Sequence, residues 1–306
     1  MNRRPDFHNY LFLFCSVVTA LSVITIIGFI FITAAPALIH EGPGILVGST
    51  WDYPSLQYGA WSFIAATLMV TAATLVLAVP LGLATAIFLS EWAPPWLDQT
   101  LMTLIELLVG IPSVVYGIFG FYVLRGYFEN SVNPFIGNTF GFIPLLREGN
   151  NIGLGIPLAS TVLAIMILPT IVALSREAMR GVPAELREGS AALGATRWET
   201  IRHLVLPASF SGTITGVIMG TMRAMGETMA VVMLIGNVSS TPTSFLSMGE
   251  PLTAKILLDI ENYLTDSVAT SALFALAAVL LIMEIAFIAA IHIITDRMKR
   301  RMEGIT

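Results

Sequence analysis

Six stretches of this sequence stay apolar for about 20 residues or more, the length a helix needs to cross roughly 30 Å of hydrocarbon. They run from about Tyr10 to Leu38, Trp61 to Leu89, Leu101 to Leu124, Leu154 to Leu174, Phe210 to Gly236 and Val268 to Thr295. The expected fold is therefore an all-α polytopic membrane protein with six transmembrane helices. Composition agrees: 56% of residues are apolar and 11% charged, against about 25% charged in soluble domains. Disorder is excluded too, because it requires low hydrophobicity and high net charge. The net charge of −5 is modest, and with no basic arm or zinc-ligand spacing nothing points to nucleic acid. The single cysteine, Cys15, rules out an internal disulfide. It is expected to be a small buried core residue. His8, His40, His203 and His292 are far apart, so neither a metal site nor a cofactor is expected in this chain, and no nucleophile motif appears.

The first apolar run follows Arg3 and Arg4 and precedes Ala35-Pro36-Ala37, which faintly suggests a signal peptide. It is about twice the 7–15 residues of a signal core, so a retained helix is expected. Lysine and arginine then set the orientation. With the N-terminus cytoplasmic, eleven of the fifteen basic residues fall on inside segments. Arg125, Arg147 and Lys255 fall outside, and Arg223 lies within a span. Both termini of this multi-pass protein are thus expected in the cytoplasm. Residues 1–60 form a first helix with an external loop, and 61–306 form the main transmembrane domain. Its cytoplasmic loop, about 175–209, is densely charged, whereas the turn Glu91–Gln99 carries no positive charge.

That loop contains Pro183-Ala-Glu-Leu-Arg-Glu-Gly-Ser-Ala-Ala-Leu-Gly194. Pro183 suits a first helical position, Glu185 and Glu188 suit the positive end of a helix dipole, and Gly194 suits a stop. Leu186 and Leu193 give this short helix an apolar side. Thr196-Arg-Trp-Glu199 has the form of a capping box, opening a second helix that is expected to run to Pro207. The pattern alone fits an ordinary solvated amphipathic loop as well as a docking element. However, Glu188, Gly194 and Leu204-Val205-Leu206-Pro207 have the spacing of the EAA loop, and the sequence here resembles the permeases of ABC importers. Gly189, Ser190 and Leu204 depart from that motif without altering its spacing. The resemblance extends to the phosphate-importing, PstC-type family. It is carried by Glu185–Ile201, by Arg223-Ala-Met-Gly-Glu-Thr-Met-Ala-Val231 and by Glu106-Leu-Leu-Val-Gly-Ile-Pro-Ser-Val-Val-Tyr-Gly117.

The resemblance implies a type I ABC importer permease of a bacterial inner membrane that moves inorganic phosphate. Residues 183–194 would be the helix that docks the ATPase, with Glu185, Glu188, Gly194, Ala195, Thr196, Leu206 and Pro207 at coupling positions. It also implies a PstB-like ATP-binding subunit in two copies, a second, PstA-like permease, a PstS-like phosphate-binding protein and a lipid surround. The chain itself is not expected to be an enzyme: neither Lys255, followed by Ile256, nor Lys299, followed by Arg300, lies in a phosphate-binding P-loop. Two alternatives stay open, a permease for sulfate or molybdate and a non-transporting component that signals phosphate status.

Glu106, Arg223, Glu227 and Glu284 are the ionisable residues within spans. Charges there cost about 2.5–3.5 kcal/mol on insertion scales, which makes each a candidate for the substrate path. Arg223 and Glu227 are expected on one face of one helix, with Arg223 roughly 20 Å in from Phe210, past the midplane. Arg223 offers phosphate a planar fork of donors, and Glu227 would offset its charge at rest. Glu284 falls at a similar depth. Glu106 is shallow and could reach the membrane edge or a loop arginine. Gly212, Gly216 and Gly220, spaced by four, suggest close helix packing, with sliding faces as the alternative.

Overall fold

The computed structural model of the chain describes residues 7–52, 55–147, 152–263 and 266–302; Arg3 and Arg4 lie outside them. Helix α1 (Phe7–Glu41) leads through the short hairpin β1 (Trp51–Asp52) and β2 (Gln57–Tyr58) into α2 (Trp61–Ile87). A π-helical turn, Phe88–Trp92, extends α2 to a corner, and α3 (Pro95–Val109) leaves it. Then come α4 (Ser113–Phe119) and α5 (Ile156–Arg180). The charged loop holds α6 (Ala184–Ala192) and α7 (Arg197–Thr200). Finally come α8 (Leu206–Gly226), α9 (Met229–Leu234), α10 (Leu252–Tyr263) and α11 (Ser267–Met302).

Among the described residues, five helices are long and apolar enough to span a membrane: Tyr10–Glu41, Trp61–Trp92, Ile156–Arg180, Arg197–Gly226 and Ser267–Arg297. The expected third span, Leu101–Leu124, is not one straight helix. Pro95–Val109 and Ser113–Phe140 meet at a 94° bend. Pro112 explains the break: it has no amide hydrogen to continue the ladder, and it pushes the preceding residue out of the helical region. A sixth crossing exists only if this bent pair is counted as one.

The expected fifth span, Phe210–Gly236, is broken as well. α8 ends at Gly226, Glu227 is extended (φ −70°, ψ 125°), and α9 begins at Met229. At its other end this span starts earlier than the sequence suggests. α7 does not stop at Pro207 but widens into a π-helical turn, Ile201–Val205, that runs into α8. The wider turn absorbs the donor that Pro207 lacks.

α5 is the centre of the bundle and α1 its edge: 67% of the most apolar stretch of α5 is buried, and none of that of α1. Cys15, expected in the core, is accordingly exposed on α1. Ala34 and Ala37 of α1 bury against α11, where the Ser271 hydroxyl accepts from the Ala37 amide at 2.9 Å. The three spaced glycines of α8 pack on α5. A Cβ added to Gly212 would lie 2.5 Å from the Ala178 Cβ, and one on Gly220 would lie 2.9 Å from Ile171 Cγ1. Only a backbone without side chains fits there, which is the packing role of such spacing.

Candidate functional site

The break after α8 decides where the intramembrane charges stand. Arg223 sits half-buried in the last helical turn, and Glu227 lies beyond the helix end. The continuous span expected through Gly236 thus ends at Glu227, four residues after Arg223. Glu227 turns forward: its Oε1 accepts from the Ala230 amide at 3.4 Å, and its carbonyl accepts from the Thr253 hydroxyl at 3.3 Å. Among the described residues no ion pair involves Arg223, Glu227 or Glu284.

Glu284 of α11 does come to this break. Its Oε1 would stand 3.8 Å from a Cβ on Gly226. Glu106 does not come. It is exposed on α3, and the loop arginines Arg176, Arg180 and Arg187 are held by Asp98 and Glu91 instead. The structure brings a residue that sequence reasoning had not singled out. Tyr116, buried on α4, lies within electrostatic reach of Arg223. Its hydroxyl donates to the Leu108 carbonyl at 2.9 Å, bridging the 94° bend.

The charged loop folds as its local signals direct, with one shift. Pro183 is the residue before the helix (φ −54°, ψ 140°), and α6 starts at Ala184. Gly194 turns the chain at φ +85°, a left-handed conformation open to glycine without strain. The capping box is complete: the Thr196 hydroxyl accepts from the Glu199 amide, and the Glu199 carboxylate accepts from the Thr196 amide at 2.7 Å. Leu186 and Leu193 point away from the bundle, Leu193 at 91% exposure. On the other side of α6, Arg187 reaches Glu91 at the corner after α2, with Nη1 within 2.7 Å of both carboxylate oxygens. Nearby, Asp98 of α3 is buried between Arg176 and Arg180 of α5, at 2.5 and 2.7 Å.

A helical bundle with a capped, outward-facing helix–turn–helix between two central spans is what the comparisons match. Residues 78–304 fit the family described as the binding-protein-dependent transport system inner membrane component. The chain belongs to that family. It is 41% identical to a probable ABC transporter permease, YqgH, of Bacillus subtilis, over 79% of this chain and 74% of that one. It is 36% identical to the phosphate transport system permease protein PstC of Xylella fastidiosa, over 87% and 82%. A solved bacterial alginate ABC transporter aligns over 95% of this chain and 94% of its own, at a TM-score of 0.59 and 16% identity. That likeness shows the fold, which is that of type I ABC permeases.

The acids that hold this permease's loop, Glu91 and Asp98, were not singled out beforehand. A signal was present: a short segment with two acids and no base precedes one with five arginines. A third group, at the far end of the bundle, was also missed. Lys255 is buried beside Asp259 at 2.8 Å and Glu250 at 3.8 Å, under the rings of Trp51 and Phe63. Burial pushes the Glu250 carboxyl above the ordinary range, although a hydrogen bond from Ser239 and the charge of Lys255 pull it down.

Proposed function

We propose that this permease is a membrane subunit of an ATP-driven importer of inorganic phosphate and forms half of its translocation path. The observation that carries the substrate is the similarity to permeases named for phosphate transport, which extends over most of both chains. The path residues proposed are Arg223, Glu227 and Glu284 at the break after α8, with Glu106 at a shallower position. An arginine without an ion-pair partner in a half-buried setting suits a passing oxyanion, because the guanidinium stays charged and offers paired donors. Acids on either side weaken the hold enough for release.

ATP hydrolysis belongs to a separate subunit, PstB-like and in two copies. α6 and the turn after it offer that subunit exposed Leu186 and Leu193, with Glu185, Glu188, Gly194, Ala195 and Thr196 around them and Leu206 and Pro207 leading into α8. A PstA-like second permease completes the path, and a PstS-like binding protein delivers phosphate outside. Both termini and the charged loop face the cytoplasm.

The test is uptake of labelled phosphate in cells lacking this chain, restored with the normal chain or Arg223→Gln at matched membrane abundance, with excess sulfate as competitor. The normal chain restores uptake that sulfate does not suppress. Arg223→Gln lowers it by about a hundredfold, the equivalent of losing a strong charge-assisted contact of roughly 2.7 kcal/mol. Normal uptake through Arg223→Gln would remove that residue from the path. No uptake with the normal chain would remove phosphate.

A further inference from the structure

The corner between α2 and α3 is gripped at three points by the charged loop. From α6, the Arg187 guanidinium holds both oxygens of the Glu91 carboxylate. From α7, Arg197 donates to the Glu91 backbone carbonyl. Next to it, the ring of Trp198 stacks on Trp92 with planes 11° apart and centroids 6.1 Å apart. The same Arg187 donates through Nη2 to the Met179 carbonyl at 2.6 Å, which ties α6 to the end of α5. The Glu91 side chain is 7% exposed, so little water competes for the contact.

What this corner leads to gives the grip its meaning. α3 is rigidly seated, because Asp98 in its first turn is held by Arg176 and Arg180. Its far end meets the 94° bend, across which Tyr116 ties α4 back to Leu108. α4 in turn packs on α9: a Cβ on Gly117 would lie 2.7 Å from the Met233 sulfur and 3.3 Å from the Ala230 Cα. α9 is the helix that follows Glu227. An unbroken chain of packed groups thus runs from α6 through the corner, α3 and the bend to the far side of the break that holds Arg223 and Glu227.

We propose that Glu91 and Arg187 are positioning residues for transport, forming a second route of force from the docking loop to the path. The first route is the covalent one, from α7 into α8. The second pulls on the other wall of the same break. The α8 route alone would move Arg223 and leave the α4–α9 wall behind; the grip moves both. The proposal rests on the reading of α6 as the ATPase-docking helix.

Because the chain has a single cysteine, a clean test is available. In a Cys15→Ser background, Glu91→Cys and Arg187→Cys are combined, and the assembled transporter is isolated with its ATPase and returned to lipid vesicles. ATP hydrolysis and phosphate movement are measured before and after joining the two thiols with a bifunctional reagent. Before joining, the ATPase stays bound and hydrolyses ATP while phosphate moved per ATP falls about tenfold, in the usual range for a coupling interaction. After joining, the ratio recovers. An unjoined pair with a normal ratio overturns the proposal, as does a joined pair that stays uncoupled. Loss of the ATPase from the unjoined pair makes the contact a docking element and also overturns it. If a chain carrying Leu186→Asp and Leu193→Asp keeps its ATPase bound, the docking reading itself has failed.

Discussion

The charged loop and the break after α8 treat charge in opposite ways. Around the docking loop, each buried acid is matched: Glu91 by Arg187, Asp98 by Arg176 and Arg180. At the break after α8, among the described residues, Arg223, Glu227 and Glu284 lie near one another without an ion pair. A matched buried pair fixes geometry, since removing one partner strands the other in low dielectric. Charges left unmatched cost stability and are kept where something else must meet them. This difference supports the proposed roles, the loop end transmitting position and the break receiving an ion.

This contrast can be broken by substitution. Asp98→Ala strands the nearly buried Arg176 and should cost about 3 kcal/mol. It should appear as a marked drop in the unfolding temperature of the detergent-solubilised chain. Arg223→Gln should not lower stability at the other end, because it removes an unmatched charge. The uptake loss predicted above should come with an unfolding temperature at or above normal. A comparable loss of stability in both variants would erase the distinction. The smallest effect sharpens it: Thr196→Ala removes the cap of α7 and should cost about 1 kcal/mol. Because the cap serves the loop, coupling of hydrolysis to uptake should weaken while sulfate discrimination stays the same.

The same contrast explains what could be read from the sequence. The loop's α6, the turn at Gly194 and the Thr196–Glu199 box were legible because each is decided within four residues. The spans were legible as apolar length. The break at Gly226–Glu227 was not, because Met229–Leu234 continues the apolar pattern and hides the change of direction. The bend at Pro112 was half legible: the proline stood in view, but the apolar run continued across it. Asp98 and Arg176 are 78 residues apart, and only their complementary charges hinted at the pairing. At the proposed path, residue types were legible and geometry was not, since the backbone leaves the helix at Glu227 itself.

The glycine seam between α5 and α8 has a mechanical consequence. With Gly212, Gly216 and Gly220 seated so tightly on Ala178, Leu174 and Ile171, neither helix can slip along the other without a clash at each step. The two helices are left to tilt as a single plank. The charged loop joins them at one end, so the docking proposed for it would make it a handle on that plank. A small swing at the handle becomes a larger sweep at Gly226, about 20 residues and roughly 30 Å away.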